Sequence, residues 1–102
     1  MSKKTQTSKW DPSEHITSKE EMAAYLEAAL DDGDPGVIAS ALGDIARSKG
    51  MAQLARDTGL GRESLYKSLS SDGNPELATV LKVVGALGLR LCAIPSDDNK
   101  AA

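Results

Sequence analysis

The sequence predicts an all-α protein of five helices that ends in a short C-terminal β-strand. Apolar residues recur at helical spacing, and Gly and Pro stand where these runs end. Aromatic residues make up only 3% of the 102 residues, so Ala, Leu, Val and Ile must build the core, which suits closely packed helices. We expect a flexible lead over residues 1–17, one folded domain over 18–95 and a flexible tail over 96–102.

Capping residues mark the first two helices. Ser18 opens the first helix with Glu21 as the second half of a capping box, and Gly33 ends it. An aspartate followed by Pro35 opens the second helix, and Gly50 ends it. The predicted buried faces are Met22, Tyr25, Leu26, Ala29 and Leu30, then Val37, Ile38, Ala41, Leu42, Ile45 and Ala46.

Two short helices, a fifth helix and a strand follow. The short helices run from Met51 to Thr58 and from Arg62 to about Ser70. The pair Asn74-Pro75 predicts the start of the fifth helix, because it repeats the arrangement of a cap followed by proline. Residues 89–94 alternate weakly and stop before a proline, which predicts a short strand. The buried face predicted for the fifth helix is Leu77, Val80, Leu81, Val84 and Leu87.

The two short helices fit the geometry of a helix-turn-helix. Ala55 supplies a small side chain where the helices cross, Gly59 allows a positive φ at the corner, and Leu60 can fill the wedge. Leu65 and Leu69 would anchor the second helix to the core. The opposite face would then carry Arg62, Glu63, Ser64, Lys67 and Ser68.

That outward face predicts contacts with the major groove of DNA. Arg62 can bind guanine through two hydrogen bonds, Glu63 can accept from the amino group of cytosine, and Ser64 can bond a base or a phosphate. In the alternative, the domain is an ordinary helical bundle, Gly59 only ends a helix, and the basic side chains are merely solvated. The other candidate DNA contacts, most of them placed for phosphates, are Gln53, Tyr66, Lys67, Ser68 and Ser70.

Charge is divided unevenly along the chain, whose net charge is −3. Residues 1–46 carry four lysines against nine acidic residues, whereas residues 47–90 carry seven basic residues against four acidic ones. An acidic front half and a basic back half can serve two different partners. The alternative is that the charge is scattered and only solubilises the protein.

No catalytic or metal-binding pattern stands out. His15 has no second ligand at metal spacing, and neither Ser64 nor Ser68 has a neighbouring His or acid for nucleophilic chemistry. Cys92 is the single cysteine, predicted as a small buried side chain, with redox sensing as the alternative. No apolar run is long enough for a membrane span or a secretory signal. We therefore expect a cytoplasmic protein that is not an enzyme and uses no cofactor.

The chain resembles the Cro/CI-like (XRE) helix-turn-helix superfamily and, more narrowly, the HigA-like addiction-module antidote family of antitoxins. The matching stretches span about residues 20–95, in order and at the expected spacing. Two positions depart from the pattern, because Met51 replaces a frequent phosphate-binding Gln and Gly61 replaces a frequent Ser or Thr cap. The stretches are YLEAAL at 25–30, DGDP at 32–35, ALGDIAR at 41–47, GM at 50–51, GRESLY at 61–66, LS at 69–70, GNP at 73–75 and ALGLRL at 86–91.

The resemblance implies an antitoxin of a type II toxin–antitoxin module. Such a protein neutralises a RelE/HigB-like toxin, an mRNA-cleaving ribonuclease, and represses its own operon by binding operator DNA. The acidic half is the natural surface for a basic nuclease. Trp10 either anchors the toxin or, in the alternative, packs on the domain or stays mobile. The alternatives are a stand-alone prophage-type repressor and a protein-binding adaptor that has lost its affinity for DNA.

The predicted strand suggests how a homodimer would form. The chain offers no second convincing strand, so this one would pair with the same strand of another copy. Two recognition helices roughly 34 Å apart would then face successive major grooves. The alternative is an extended segment packed on its own domain. The predicted dimerisation residues are Leu89, Arg90, Leu91, Cys92, Ala93 and Ile94.

Overall fold

The computed structural model describes residues 16–96 and shows, within that range, five helices and no strand. α1 packs along α2, and α3 contacts α2, α4 and α5. The prediction of an all-α fold is confirmed for these residues, and none of their helices is long and apolar enough to cross a membrane. The helices are α1 (Lys19–Asp32), α2 (Pro35–Lys49), α3 (Met51–Thr58), α4 (Arg62–Ser68) and α5 (Leu77–Ala86).

The ends of α1 and α2 follow the predicted caps. The hydroxyl of Ser18 accepts from the N–H of Glu21 at 3.1 Å, and the Glu21 carboxylate accepts from the N–H of Ser18 at 3.1 Å. Gly33 has φ 84°, a left-handed conformation that glycine adopts at little cost. Asp34 accepts from the N–H of Gly36 at 2.8 Å, which caps α2. Local chemistry therefore fixes the boundary between these two helices.

The apolar core lies where α2, α3, α4 and α5 meet. Its largest fully buried side chains are Leu42, Ile45, Leu54, Leu65 and Val83. Ile16 is also buried in this cluster, although the prediction placed it in the flexible lead. Predictions for His15, Trp10 and residues 97–102 lie outside the described residues.

One buried carboxylate joins α1 to α2. Asp44 on α2 is only 8% exposed. Its Oδ2 accepts from the phenol of Tyr25 on α1 at 2.5 Å, and its Oδ1 accepts from Nη2 of Arg47 at 2.6 Å. Because both carboxylate oxygens are bonded, the desolvation of this charge is offset.

The fifth helix differs from its prediction. It begins at Leu77 rather than at Asn74-Pro75, and α4 ends at Ser68 rather than near residue 70. Leu77 and Leu81, predicted to be buried, are 69% and 52% exposed, whereas Val83 is fully buried. α5 is apolar at most of its positions, so helical periodicity fits more than one face. Packing against α3 selects the face that is buried.

The predicted C-terminal strand is not found, because residues 89–94 have no regular secondary structure. A strand is defined by hydrogen bonds to a second strand, and residues 16–96 of this single chain contain none. Leu89 and Leu91 instead pack against the core, as in the alternative of a segment packed on its own domain. Cys92 is exposed, so the prediction that it is buried is wrong.

Candidate functional site

α3 and α4 are joined by a tight turn of three residues, 59–61. Gly59 has φ 76° and donates its N–H to the carbonyl of Ala55 at 2.9 Å. The hydroxyl of Thr58 donates to the carbonyl of Leu54 at 2.8 Å and accepts from the N–H of Leu60 at 3.2 Å. These bonds fix the corner of a helix-turn-helix arrangement, with the positive φ where the sequence predicted it.

Two leucines anchor α4 to the rest of the domain. Leu65 and Leu69 are buried in the core, as predicted from their spacing. The carbonyl of Leu69 lies so close to Gly43 of α2 that a Cβ on this glycine would overlap it. α4 is therefore held against α2 by backbone contact as well as by side-chain packing.

The face of α4 that points away from the core is charged. Arg62, Glu63, Tyr66 and Lys67 are all exposed there, in pairs four residues apart that lie side by side on a helix. A guanidinium, a carboxylate, a phenol and an ammonium are thus presented together. Such groups can donate to and accept from base edges and phosphates.

The three candidate serines are placed less favourably for contact with DNA than the charged residues of α4. Ser64 is exposed, but with Ser68 it lines a small depression against Asn74 and Pro75 rather than extending the charged face. Ser68 and Ser70 are half-buried. The hydroxyl of Ser70, which lies just beyond α4, donates to the carbonyl of Lys67 in the last turn of α4 at 2.9 Å. The structure therefore brings together the charged candidates and leaves the serines at the side.

Gln53 is exposed on α3, where it is held by its neighbours. Its Nε2 donates to Oδ1 of Asp57 at 2.8 Å, and its Oε1 accepts from Nη2 of Arg56 at 2.8 Å. Arg56 was not among the residues predicted to bind DNA, although it follows Gln53 by three residues, a spacing at which two side chains can meet on a helix. Arg56 adds an exposed cation to the helix before the turn.

The balance of charge differs between α1 and the helices that follow it. α1 carries five acidic side chains and one lysine. From the last turn of α2 to the end of α4, residues 47–68 carry five basic side chains and two acidic ones. The basic surface therefore coincides with the helix-turn-helix arrangement.

Within residues 16–96, no group of three or more His, Cys, Asp or Glu side chains could hold a metal ion.

Over residues 16–96, these features define an all-helical domain organised around a helix-turn-helix arrangement with an exposed, charged second helix. Residues 6–95 match the family described as "probable addiction module antidote protein", and the chain belongs to this family. An uncharacterized protein of Haemophilus influenzae is 53% identical to it over 81 residues, which cover 79% of this chain and 84% of the relative. No solved structure gives a significant match. Membership supports an antitoxin role and implies a toxin partner of some kind.

Proposed function

We propose that this cytoplasmic, non-enzymatic protein neutralises a RelE/HigB-like ribonuclease toxin and represses the operon that encodes the pair. The antidote family supports the first half of this proposal. The exposed charged face of α4, anchored by two buried leucines, is the observation that carries the second half. Because residues 47–68 have a net positive charge within an acidic chain, this face is where a polyanion would bind.

In the proposed complex, α4 enters the major groove. Arg62 reads guanine with two hydrogen bonds, and the neighbouring Glu63 accepts from a cytosine amino group. Lys67 and Arg56 bind phosphates and set the register of the protein on the duplex. Sequence preference then depends on the first turn of α4, whereas the general affinity depends on the cations around it.

The proposal includes a homodimer on a two-fold operator. The exposed leucines Leu77 and Leu81 of α5 support it, because they lie four residues apart on one face of the helix. Ile94, which is also exposed, adds apolar surface near the C-terminus. A dimer would bury these side chains and would present two copies of α4 to the DNA.

Gel shifts with the promoter of the protein's own operon test the DNA half. We expect Arg62→Ala to lower the preference for this promoter over a scrambled duplex by about fivefold or more, since a bidentate base contact contributes about 1–3 kcal/mol. Lys67→Ala should weaken binding to both duplexes alike, and Lys19→Ala on α1 is the matched control for the loss of an exposed cation. If both α4 variants bind as the parent does, the site assignment is wrong.

Co-expression with the protein encoded by the neighbouring reading frame tests the antitoxin half. We expect the pair to co-purify and the antitoxin to restore growth. Promoter binding without growth rescue would instead indicate a stand-alone repressor. Growth rescue without promoter binding would indicate a protein-binding adaptor.

A further inference from the structure

An open groove with a cavity volume of about 540 Å³ lies between α1 and α2. Its walls are small and apolar, with Ala28 and Ala29 on the α1 side and Val37 and Ala41 on the α2 side. At one end of the groove, Gly36 lies against the backbone of Ser71. A Cβ at Gly36 would lie 2.8 Å from the carbonyl oxygen of Ser71. This depression is of the size that holds a ligand group or a partner side chain.

All charged side chains that line the groove are acidic. Asp32 and Asp34 are exposed, and Asp44 lies in the wall beside Tyr25. Among residues 16–96, no basic side chain lines the groove. An apolar channel flanked by carboxylates is complementary to a cationic side chain with an aliphatic stem.

The groove is held open by bonds that already exist in the free protein. The hydrogen bond from Tyr25 to Asp44 fixes the distance between α1 and α2 in the groove wall. Asp34 caps α2 through the N–H of Gly36, and Asp32 accepts from the N–H of Asp34 at 3.3 Å. A partner would therefore meet a site that needs little ordering on binding.

We infer that this groove is the toxin-docking site and that it takes an arginine or lysine side chain from a basic protein partner. The aliphatic stem would lie against Ala28, Val37 and Ala41, and the cationic head would reach Asp32 and Asp34. The inference rests on the proposed antitoxin function. It is separate from the DNA-binding proposal, because a groove lined by carboxylates repels phosphates.

The test measures binding of the purified neighbouring-frame protein to the full-length antitoxin by isothermal titration calorimetry. Asp32→Lys reverses a charge in the groove, and Glu27→Lys makes the same kind of change on α1 outside it. Ala28→Trp fills the groove, and Ala24→Trp places the same side chain one turn away, also outside it. All four residues are exposed, so the fold should survive each change, which circular dichroism checks.

We expect Asp32→Lys and Ala28→Trp each to raise the Kd for the toxin by about tenfold or more, equivalent to about 1.4 kcal/mol. Glu27→Lys and Ala24→Trp should raise it by less than about threefold, because charges and contacts at the edge of an interface contribute little. All four variants should bind promoter DNA as the parent does. The Kd for the toxin should rise with salt concentration, and this rise should be steeper for the parent than for Asp32→Lys.

Two results would overturn the inference while leaving the antitoxin function standing. In one, the parent binds the toxin and both groove variants bind it equally well. In the other, the control variants weaken binding as much as the groove variants do, which would mean a diffuse acidic surface. If the parent itself fails to bind the neighbouring-frame protein, the proposed antitoxin function and the groove assignment fall together.

Discussion

The phenol of Tyr25 on α1 donates a hydrogen bond of 2.5 Å to the buried carboxylate of Asp44 on α2. This bond joins the acidic helix to the helix that contacts α3 and α4. The wall of the acidic groove and the support of the charged α4 face are therefore parts of one packed unit. A substitution that removes this bond should first lower the free energy of unfolding.

Removing the phenol oxygen tests how much this bond contributes. We expect Tyr25→Phe to lower the free energy of unfolding by about 1–3 kcal/mol, because a hydrogen bond to a buried charged group is lost. Asp44 would keep its bond to Arg47 at 2.6 Å, so the fold should remain. Urea denaturation measures the effect, with Tyr66→Phe on the exposed face of α4 as the matched control. Equal stabilities for the two variants would contradict this account.

Two of the helical glycines, Gly43 and Gly85, should respond in opposite ways to alanine. A Cβ at Gly43 would overlap the carbonyl of Leu69, so Gly43→Ala should cost about 1–3 kcal/mol of stability or more. A Cβ at Gly85 meets nothing within 4 Å, and Gly85→Ala should stabilise the protein by about 0.5–1 kcal/mol through helix propensity. Chemical denaturation at low protein concentration compares them. Similar effects from both would show that α4 is not held by this backbone contact.

The capping box at the start of α1 should make stability depend on acidic pH. The N–H and hydroxyl of Thr17 both donate to Oε1 of Glu21 at 2.7 Å, and these bonds hold the pKa of the Glu21 carboxyl below its usual value of 4.5. Between the two pKa values the unfolded chain binds more protons than the folded one, so stability rises with pH there. The contribution is complete above about pH 4.5 and is lost as the pH falls through the folded pKa.

Glu21→Gln isolates this contribution. We expect the variant to melt below the parent at neutral pH and the difference to shrink as the solution is acidified below about pH 4.5. Thermal melts at a series of pH values measure it, and Glu20→Gln in the same turn controls for the loss of one acidic charge. A difference that stays constant through the acidic range would rule out this titration.

Local signals made α1 and α2 predictable, whereas α5 depended on tertiary packing. The caps at Ser18, Gly33 and Asp34 use side-chain and backbone chemistry within a few residues of each helix end. α5 begins at Leu77 with no side-chain cap bond, so nothing local marks its start. Its buried face is chosen by contact with α3, which an apolar helix does not reveal from spacing alone.

The candidate sites show the same division between features that local sequence signals predict and features that depend on tertiary packing. The spacing of Leu65 and Leu69 indicated which face of α4 would point away from the core. Asp44 was not singled out from the sequence, and its donor on α1, the phenol of Tyr25, is 19 residues away along the chain, so spacing alone does not reveal the pair. The groove between α1 and α2 needs both helices in place, so no motif predicts it.

The exposed leucines of α5 lead to a prediction about assembly. If α5 pairs with a second copy, Leu81→Glu should shift a dimeric parent to monomer, because an acidic side chain would be buried at the contact. Leu30 on α1 was predicted to be buried but is 43% exposed, so Leu30→Glu replaces another exposed large apolar residue and should leave the dimer intact. Sedimentation equilibrium measures both.

The double variant Cys92→Pro with Ala93→Pro separates this arrangement from pairing of residues 89–94. One of two neighbouring N–H groups faces a partner strand, and proline removes both, so a dimer joined by strands would dissociate. We expect this variant to remain dimeric, since Leu77 and Leu81 supply the exposed apolar surface on α5. If it becomes monomeric while Leu81→Glu stays dimeric, the copies are joined through the C-terminal segment, and α5 does not form the contact.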